Sequence, residues 1–506
     1  MSRAPLLLLS LFCASLFAES RPNIVFILAD DLGYGEVGFN GQSIIRTPNV
    51  DRLAREGMIL TRHYCGSPVC APSRTVLMTG RNPGHATTRD NGDVGDREQF
   101  PLPAGITTLP ALLKSAGYAT GAFGKWGMGG FDSTGNPLKQ GFDRFLGVTS
   151  QWVAHSHYPP FIQDDGVKIP LDNGPEGVPG HGVFPADADP QDPKAYAPFI
   201  GKDFLSERTI VGAEAFIAKH KARPFFLYYA SPLPHVALQV PAEELKQYEG
   251  VITEVAPYAP RKGGYSPNRT PRTTYAAMIS RLDREVGRIL TALEQAGVAD
   301  NTLIVFTGDN GATHDAGGAD TKYFASSGGL RGAKGSLHEG GLREPTVVRW
   351  PTGIKAGTRS HRISGFEDWL ATFTEMAGVT YPRDAGIGSE SLLPALKGVD
   401  APRTAPLYRE FPGYGSQQAI WDGKWKAIRT EMAKAARAKA PIVTQLYDLE
   451  ADPNETTDLA AKFPDIVKGL EAKMTAARVP SADFPLIGVD ATPANAGKGK
   501  KQGAGK

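Results

Sequence analysis

The chain has 506 residues, 41% of them hydrophobic and 21% charged, enough apolar material for a large core and too few charges for a disordered chain. With 55 basic against 53 acidic residues and a net charge of +2, it does not bind nucleic acid through bulk charge. Three cysteines exclude a disulfide scaffold and a four-cysteine zinc site.

Residues 1–20 read as a secretory leader. Arg3 precedes the apolar run Leu6 to Phe12, and the small residues Ala14, Ser15, Ala18 and Ser20 follow, with cleavage expected after Ala18 or Ser20. The run is too short to cross a membrane, and Cys13 follows Phe12 rather than a small residue, so no stable membrane anchor is expected. The mature protein is expected to be exported, periplasmic or secreted. Only Cys65 and Cys70 then remain, and outside the cytoplasm they could form a disulfide.

Ile24 to Ala29 is an unbroken apolar run, the pattern of a strand buried on both faces of a parallel sheet, and it ends in Asp30-Asp31. Thr47-Pro48 opens a helix that Gly57 closes. Pro72 and the apolar stretch to Met78 predict a helix starting right after Cys70. A helix N-terminus attracts anions and Arg74 adds positive charge, so a thiol at residue 70 is expected to be acidic and reactive.

Thr107 to Ala116 reads as a helix, and Tyr118 to Phe123 as a strand followed by Gly124-Lys125. Tyr158 to Pro198 holds nine prolines and five glycines in 41 residues, so it is expected to lack regular structure and to wall a site. Next come a helix from Ser206 to Lys221, a strand from Pro224 to Tyr229 leading to His235, a helix from Ser280 to Ala296, and a strand from Thr302 to Thr307 ending in Gly308-Asp309-Asn310.

This alternation predicts an α/β fold over residues 21–400, a large, mostly parallel sheet flanked by helices. Gln418 to Ile428 reads as a hairpin with Asp422-Gly423 at its turn, the mark of a smaller C-terminal α+β subdomain over 401–490. A Lys/Gly/Ala-rich tail, expected to be flexible, occupies 491–506. In parallel sheets ligands sit beyond the carboxyl ends of the strands, which gathers Asp30, Asp31, Asp309, Asn310, His235 and Lys125 at one rim. Three carboxylates and an amide oxygen suit Ca²⁺ or Mg²⁺ better than Zn²⁺.

Cys70-Ala71-Pro72-Ser73-Arg74 with Leu77-Met78-Thr79-Gly80 resembles the first signature of the formylglycine-dependent sulfatases, and Gly117 to Trp126 resembles their second. Arg21 to Gly33, Gly308 to Gly311, Leu330 to Gly341 and Leu446 to Pro453 match in the same order, so the resemblance spans about residues 21 to 480. It is nearest the branch of arylsulfatase A and N-acetylgalactosamine-6-sulfatase. The resemblance implies an alkaline-phosphatase-like fold that hydrolyses a sulfate monoester, an aryl sulfate or a sulfated carbohydrate. It implies that a maturation enzyme converts Cys70 to formylglycine, whose hydrate attacks sulfur. It further implies that Asp30, Asp31, Asp309, Asn310 and residue 70 hold Ca²⁺, or Mg²⁺, and that Arg74 steadies the formylglycine. Lys125 and Lys334 would bind sulfate oxygens, His235 would protonate the departing alcohol, and His314 would touch substrate or cap a loop.

The second signature departs from the family pattern, in which Lys-Trp-His is frequent. Here the run is Lys125-Trp126-Gly127. If Gln151 to Tyr158 is extended, His155 and His157 face one side. His155, or else His157, is then expected to replace the missing base or to gate the substrate. Two other readings stay open, a phosphonate or phosphate ester hydrolase of the same superfamily and a non-catalytic protein that binds sulfated glycans. A P-loop is excluded, because Gly124-Lys125 lacks a glycine at the Walker spacing.

Overall fold

The computed structural model describes residues 21–94 and 98–490. The expected leader and the Lys/Gly/Ala-rich tail lie outside them. Among the described residues ten strands form the main sheet: β1 Asn23–Ala29, β2 Met58–Leu60, β3 Ala119–Lys125, β4 Arg144–Val148, β5 Phe161–Asp164, β6 Val167–Pro170, β7 Phe225–Ala230, β8 Thr302–Gly308, β9 Thr346–Arg349 and β10 Thr358–Ser360. Their spatial order is β10-β2-β9-β8-β1-β7-β3-β4-β5-β6. The run β8-β1-β7-β3-β4 is parallel throughout, and β9 and β5 continue it antiparallel.

The apolar run of β1 is continuous because each face of the strand meets a different core. Ile24, Phe26 and Leu28 pack with Val76 and Leu77 of α2 (Cys70–Thr79), Leu113 of α3 (Leu109–Ser115), and Trp369 and Phe373 of α7 (Asp368–Ala377). Val25, Ile27 and Ala29 face Leu53 of α1 (Pro48–Glu56), Ile210 and Phe216 of α5 (Leu205–His220), and Leu282 and Val286 of α6 (Pro271–Gln295). Full burial of each large side chain stabilises the sandwich by roughly 1.5–3 kcal/mol relative to exposure.

A second sheet, β11 Leu407–Phe411, β12 Gln417–Asp422, β13 Trp425–Arg429 and β14 Gln445–Asp448, is antiparallel. Leu407, Phe411 and Trp421 join the main core, whereas Tyr408, Ile420 and Leu446 pack under Leu470 and Met474 of α8 (Pro464–Ala476). The turn sits one residue later than the Asp-Gly reading: Asp422 pairs with Trp425, and Gly423 takes φ +59° as the first of the two loop residues. That is where a type II′ turn needs glycine.

Three further expectations are corrected. The Pro/Gly-rich stretch begins with a regular hairpin, β5–β6, joined by Asp165 and Gly166 at φ +48° and +97°. That is type I′ chemistry, hidden in the sequence by the surrounding prolines. The helix expected from Ser280 starts at Pro271, with Thr270 as its N-cap residue. Gln151 to Tyr158 is not extended, because Gln151–Ala154 forms the short helix α4 and His155 closes it with φ −69° and ψ −13°.

Candidate active site

Four adjacent parallel strands deliver the site. β1 ends at Asp30-Asp31, β8 at Asp309-Asn310 and β3 at Lys125, while the chain leaving β7 reaches His235. Cys70 arrives from the side as the first residue of α2. The helix starts there because Val69 is extended, at φ −143° and ψ 160°, and it stops at Gly80, which is left-handed at φ +64°. Asn91 accepts a hydrogen bond from the Ala71 N–H at 3.1 Å, satisfying one of the free donors of the helix start. Lys334 comes from the long loop after β8, tied down by its own N–H to the Ala312 carbonyl.

The Cys70 Sγ lies 3.2 Å from Asp30 Oδ1, 3.7 Å from Lys334 Nζ and 3.9 Å from Asp31 Oδ1. Lys125 Nζ pairs with Asp30 Oδ2 at 2.5 Å, and Lys334 Nζ with the Asp31 carboxylate at 2.7 Å. Arg74 makes no hydrogen bond to residue 70. Its Nε and Nη2 grip Asp309 Oδ2 at 2.9 and 2.8 Å, and its Nη1 donates to the Lys125 carbonyl. Asp309 Oδ1 accepts from the Asp31 N–H, and Asn310 Nδ2 donates to Asp31 Oδ1. His235 Nε2 stands 3.6 Å from Asp31 Oδ2. His235 Nδ1 donates to the Val236 carbonyl, which fixes the tautomer and leaves the Nε2 lone pair facing the carboxylates.

Burial raises the Cys70 thiol, and the Asp30 carboxylate raises it further, outweighing Lys125 and Lys334. The acidic thiol expected from the helix N-terminus is therefore corrected, because a carboxylate at contact distance and the loss of water dominate. Cys65 and Cys70 are both free, and Cys65 Sγ donates to the Ser67 carbonyl.

Three buried carboxylates within one strand-end cluster repel one another. Burial would raise Asp30, but the surrounding cations, Lys125 foremost and then Arg74 and Lys334, hold it well below the carboxylate range. Burial and the charge on Asp30 push Asp309 up to about 6. The ligand atoms of Asp30, Asp31, Cys70 and His235 all lie within 4.8 Å of one another. Asn310 Oδ1 is buried without a hydrogen-bond partner, although its other end is satisfied. An orphaned amide oxygen beside crowded carboxylates fits a hard divalent cation, which would accept the oxygen and relieve the repulsion.

His155 stands one ring away from this cluster. Its ring lies against His235, and its Nδ1 is 2.8 Å from His181 Nε2. Burial depresses its basicity far below the imidazole range, and the Lys125 and Lys334 charges add to this. His157 is buried behind the site and donates from Nε2 to the His235 carbonyl, and burial lowers it to about 4. The expected common face of His155 and His157 does not exist, since His155 closes α4 with helical φ and ψ instead of lying in a strand. His314 is exposed, its ring edge-on to Tyr414, which covers Gly335 next to Lys334.

Sequence reading missed an aromatic wall beside His235. Trp152, 39% exposed, stacks on His181 at 4.6 Å, and His181 stacks on Tyr265 at 4.5 Å. His181 comes from the Pro/Gly-rich stretch, so that stretch does border the cluster. No spacing rule joins residues this far apart in sequence.

A family profile described as Sulfatase matches residues 22–379, and one described as N-sulphoglucosamine sulphohydrolase, C-terminal, matches residues 333–479. Arylsulfatase A of Homo sapiens is 31% identical over 504 residues, covering 92% of this chain and 90% of that protein. N-acetylgalactosamine-6-sulfatase of Mus musculus is 33% identical over 424 residues, covering 81% and 72%. The crystal structure of Ps i-CgsB in complex with k-i-k-neocarrahexaose is similar with a TM-score of 0.73 and 27% identity, covering 90% of this chain and 92% of that one. With a single profile over residues 22–379 and relatives aligned over 81% and 92% of its length, the chain belongs to the sulfatase family, among the sulfuric ester hydrolases of the arylsulfatase A and N-acetylgalactosamine-6-sulfatase branch.

Proposed function

We propose that the protein hydrolyses the sulfate monoester of a ring-bearing alcohol, most readily a sulfated saccharide, with residue 70 as the nucleophile. One observation carries this reading: Cys70, 1% exposed, is held between the cations Lys125 and Lys334 beside a carboxylate cluster with an orphaned amide oxygen. Formylglycine at residue 70 would supply the oxygen nucleophile, and Ca²⁺ or Mg²⁺ held by Asp30, Asp31, Asp309 and Asn310 would supply fixed positive charge.

The remaining steps belong to the side chains. Lys125 and Lys334 now neutralise Asp30 and Asp31, and a metal on those carboxylates would free both ammonium groups for sulfate oxygens. Arg74 positions Asp309 and, through the Lys125 carbonyl, the strand end that carries Lys125. Burial, Lys334 and Lys125 keep His235 neutral. A monoanionic sulfate ester between those lysines offsets part of their charge, so Nε2 can take a proton and pass it to the departing alcohol.

The wall of Trp152, His181 and Tyr265 supports a ring-shaped leaving group, since aromatic faces pack against sugar rings. The structure of Ps i-CgsB with a neocarrahexaose lends the same reading weight. We take residues 21–400 as the catalytic unit and 401–490 as a subdomain that braces it. Export through the leader and conversion of Cys70 by a maturation enzyme complete the proposal. Among the described residues, no helix is long and apolar enough to cross a membrane.

The test pairs mass spectrometry with kinetics. Protein co-expressed with a maturation enzyme should carry an aldehyde at residue 70, leave Cys65 as a lone thiol and cleave 4-nitrophenyl sulfate far faster than 4-nitrophenyl phosphate. A preference for the phosphate, or full activity in Cys70→Ala, would overturn the reading.

A further inference from the structure

The gap beside Lys125 is filled from another element. Gly127 has φ +78°, and a Cβ built on it would sit 3.0 Å from Gln151 Nε2, 3.3 Å from its Cγ and 3.6 Å from its Cδ. The Gln151 side chain thus occupies the volume into which any side chain at residue 127 would project. The contact is fixed from both sides. The Gly127 N–H donates to the Thr149 carbonyl, and the Gln151 N–H donates to Gln99 Oε1 at 2.8 Å. Ser150 caps the start of α4 through the Val153 N–H, so the first residue of that helix has little freedom.

Gln151 Nε2 is buried and has no hydrogen-bond partner. A buried amide donor left unpaired is destabilising, and a surface-seeking side chain would turn outward to avoid it. Gln151 instead stays 6% exposed, with its carboxamide against Gly127. Gly127 lies two residues beyond Lys125, whose Nζ is 2.5 Å from Asp30, the carboxylate that touches Cys70. The Gln151 backbone carbonyl accepts from the His155 N–H, and the His155 ring lies on His235.

We propose that the Gln151 carboxamide donates a hydrogen bond to the oxygen carried by the mature side chain at residue 70, and so orients the nucleophile. The inference rests on the sulfatase reading given above. A carboxamide offers a donor but takes up no proton near neutral pH. Gln151 is therefore a positioning residue for that oxygen and takes no part in proton transfer. Gly127 is the complementary half of the device, because a larger residue there would expel the amide.

The test compares Gln151→Ala and Gln151→Glu with the wild type, each first shown by mass spectrometry to be converted at residue 70. On 4-nitrophenyl sulfate both variants should lose about 10–100-fold in kcat with KM within about threefold, and the isosteric Glu should not rescue. In protein carrying ¹³C-labelled cysteine, the ratio of hydrate to aldehyde carbon at residue 70 should change in Gln151→Ala, while calorimetric affinity for inorganic sulfate should not. Unchanged kcat and carbon ratio would overturn the proposal. A loss of sulfate affinity without a change in the ratio would also overturn it, by moving the donor to the substrate. A wild type with no aldehyde carbon yet full sulfatase activity would instead sink the function assigned to residue 70.

Discussion

His155 lies flat against His235, with ring centroids 4.9 Å apart and planes within 8°. His235 Nδ1 is already committed to the Val236 carbonyl, so stacking is what remains to set the tilt of the Nε2 that faces Asp31. Replacing His155 by alanine should release that ring and lower kcat on 4-nitrophenyl sulfate about 10-fold or more. His155→Phe should retain most of the activity and the pH profile, because it keeps the stack. Equal losses in both variants would show instead that the imidazole of His155 itself moves a proton.

Chelation should abolish activity, and Ca²⁺ or Mg²⁺ should restore it better than Zn²⁺. Asn310→Ala removes the orphaned Oδ1 and the hydrogen bond to Asp31. The Ca²⁺ concentration for half-maximal activity should rise about 10–100-fold, a range common for groups that tune a metal site. A titration that leaves the half-maximal concentration unmoved would remove Asn310 from the proposed metal site.

Trp152→Ala strips the exposed end of the aromatic wall. For a sulfated disaccharide, kcat/KM should fall about 5–30-fold, mostly through KM, while 4-nitrophenyl sulfate should lose less. Burial and packing of one aromatic face account for about 1–2 kcal/mol, which sets that range. Equal losses on both substrates would argue against a ring-binding wall.

The small sheet reaches the site through one amide. Gln417 accepts from the Leu337 N–H at 3.1 Å and donates to the Gly335 carbonyl at 2.8 Å, holding the turn that follows Lys334. Gln417→Ala should cut kcat about 10-fold. Two lost hydrogen bonds should also lower stability by about 1–3 kcal/mol, read from a denaturant midpoint. Full activity would mean that the loop holds Lys334 unaided.

His63 gives the core an acid limit. Burial, then Arg409 and Arg403, depress it to about 3, and it accepts from Trp369 Nε1. The folded form stays neutral between about 6.5 and 3, while the unfolded chain binds a proton there. This contribution is complete above about pH 6.5 and falls by about 1.4 kcal/mol per pH unit as pH drops toward 3. Urea unfolding at pH 7 and pH 5 should show the loss, and His63→Asn should reduce the difference.

The sequence alone determined the alternation of strands and helices. Runs such as Ile24 to Ala29 are apolar on both faces only if a helix layer covers each side. It also determined which residues gather at the rim, because Asp30, Lys125, His235 and Asp309 each follow a parallel strand and such strands open toward one edge. Proline density masked the β5–β6 hairpin, since Asp165-Gly166 is a local turn signal and prolines nearby do not forbid it. The tertiary structure decided what distance in sequence conceals. It set Asp30 against Cys70, which reverses the thiol acidity suggested by a helix N-terminus. It turned Arg74 onto Asp309 rather than residue 70, because the guanidinium found two oxygens in reach of its fork. It filled the space beside Gly127 with Gln151, 24 positions along the chain, because close packing leaves no void for a missing side chain.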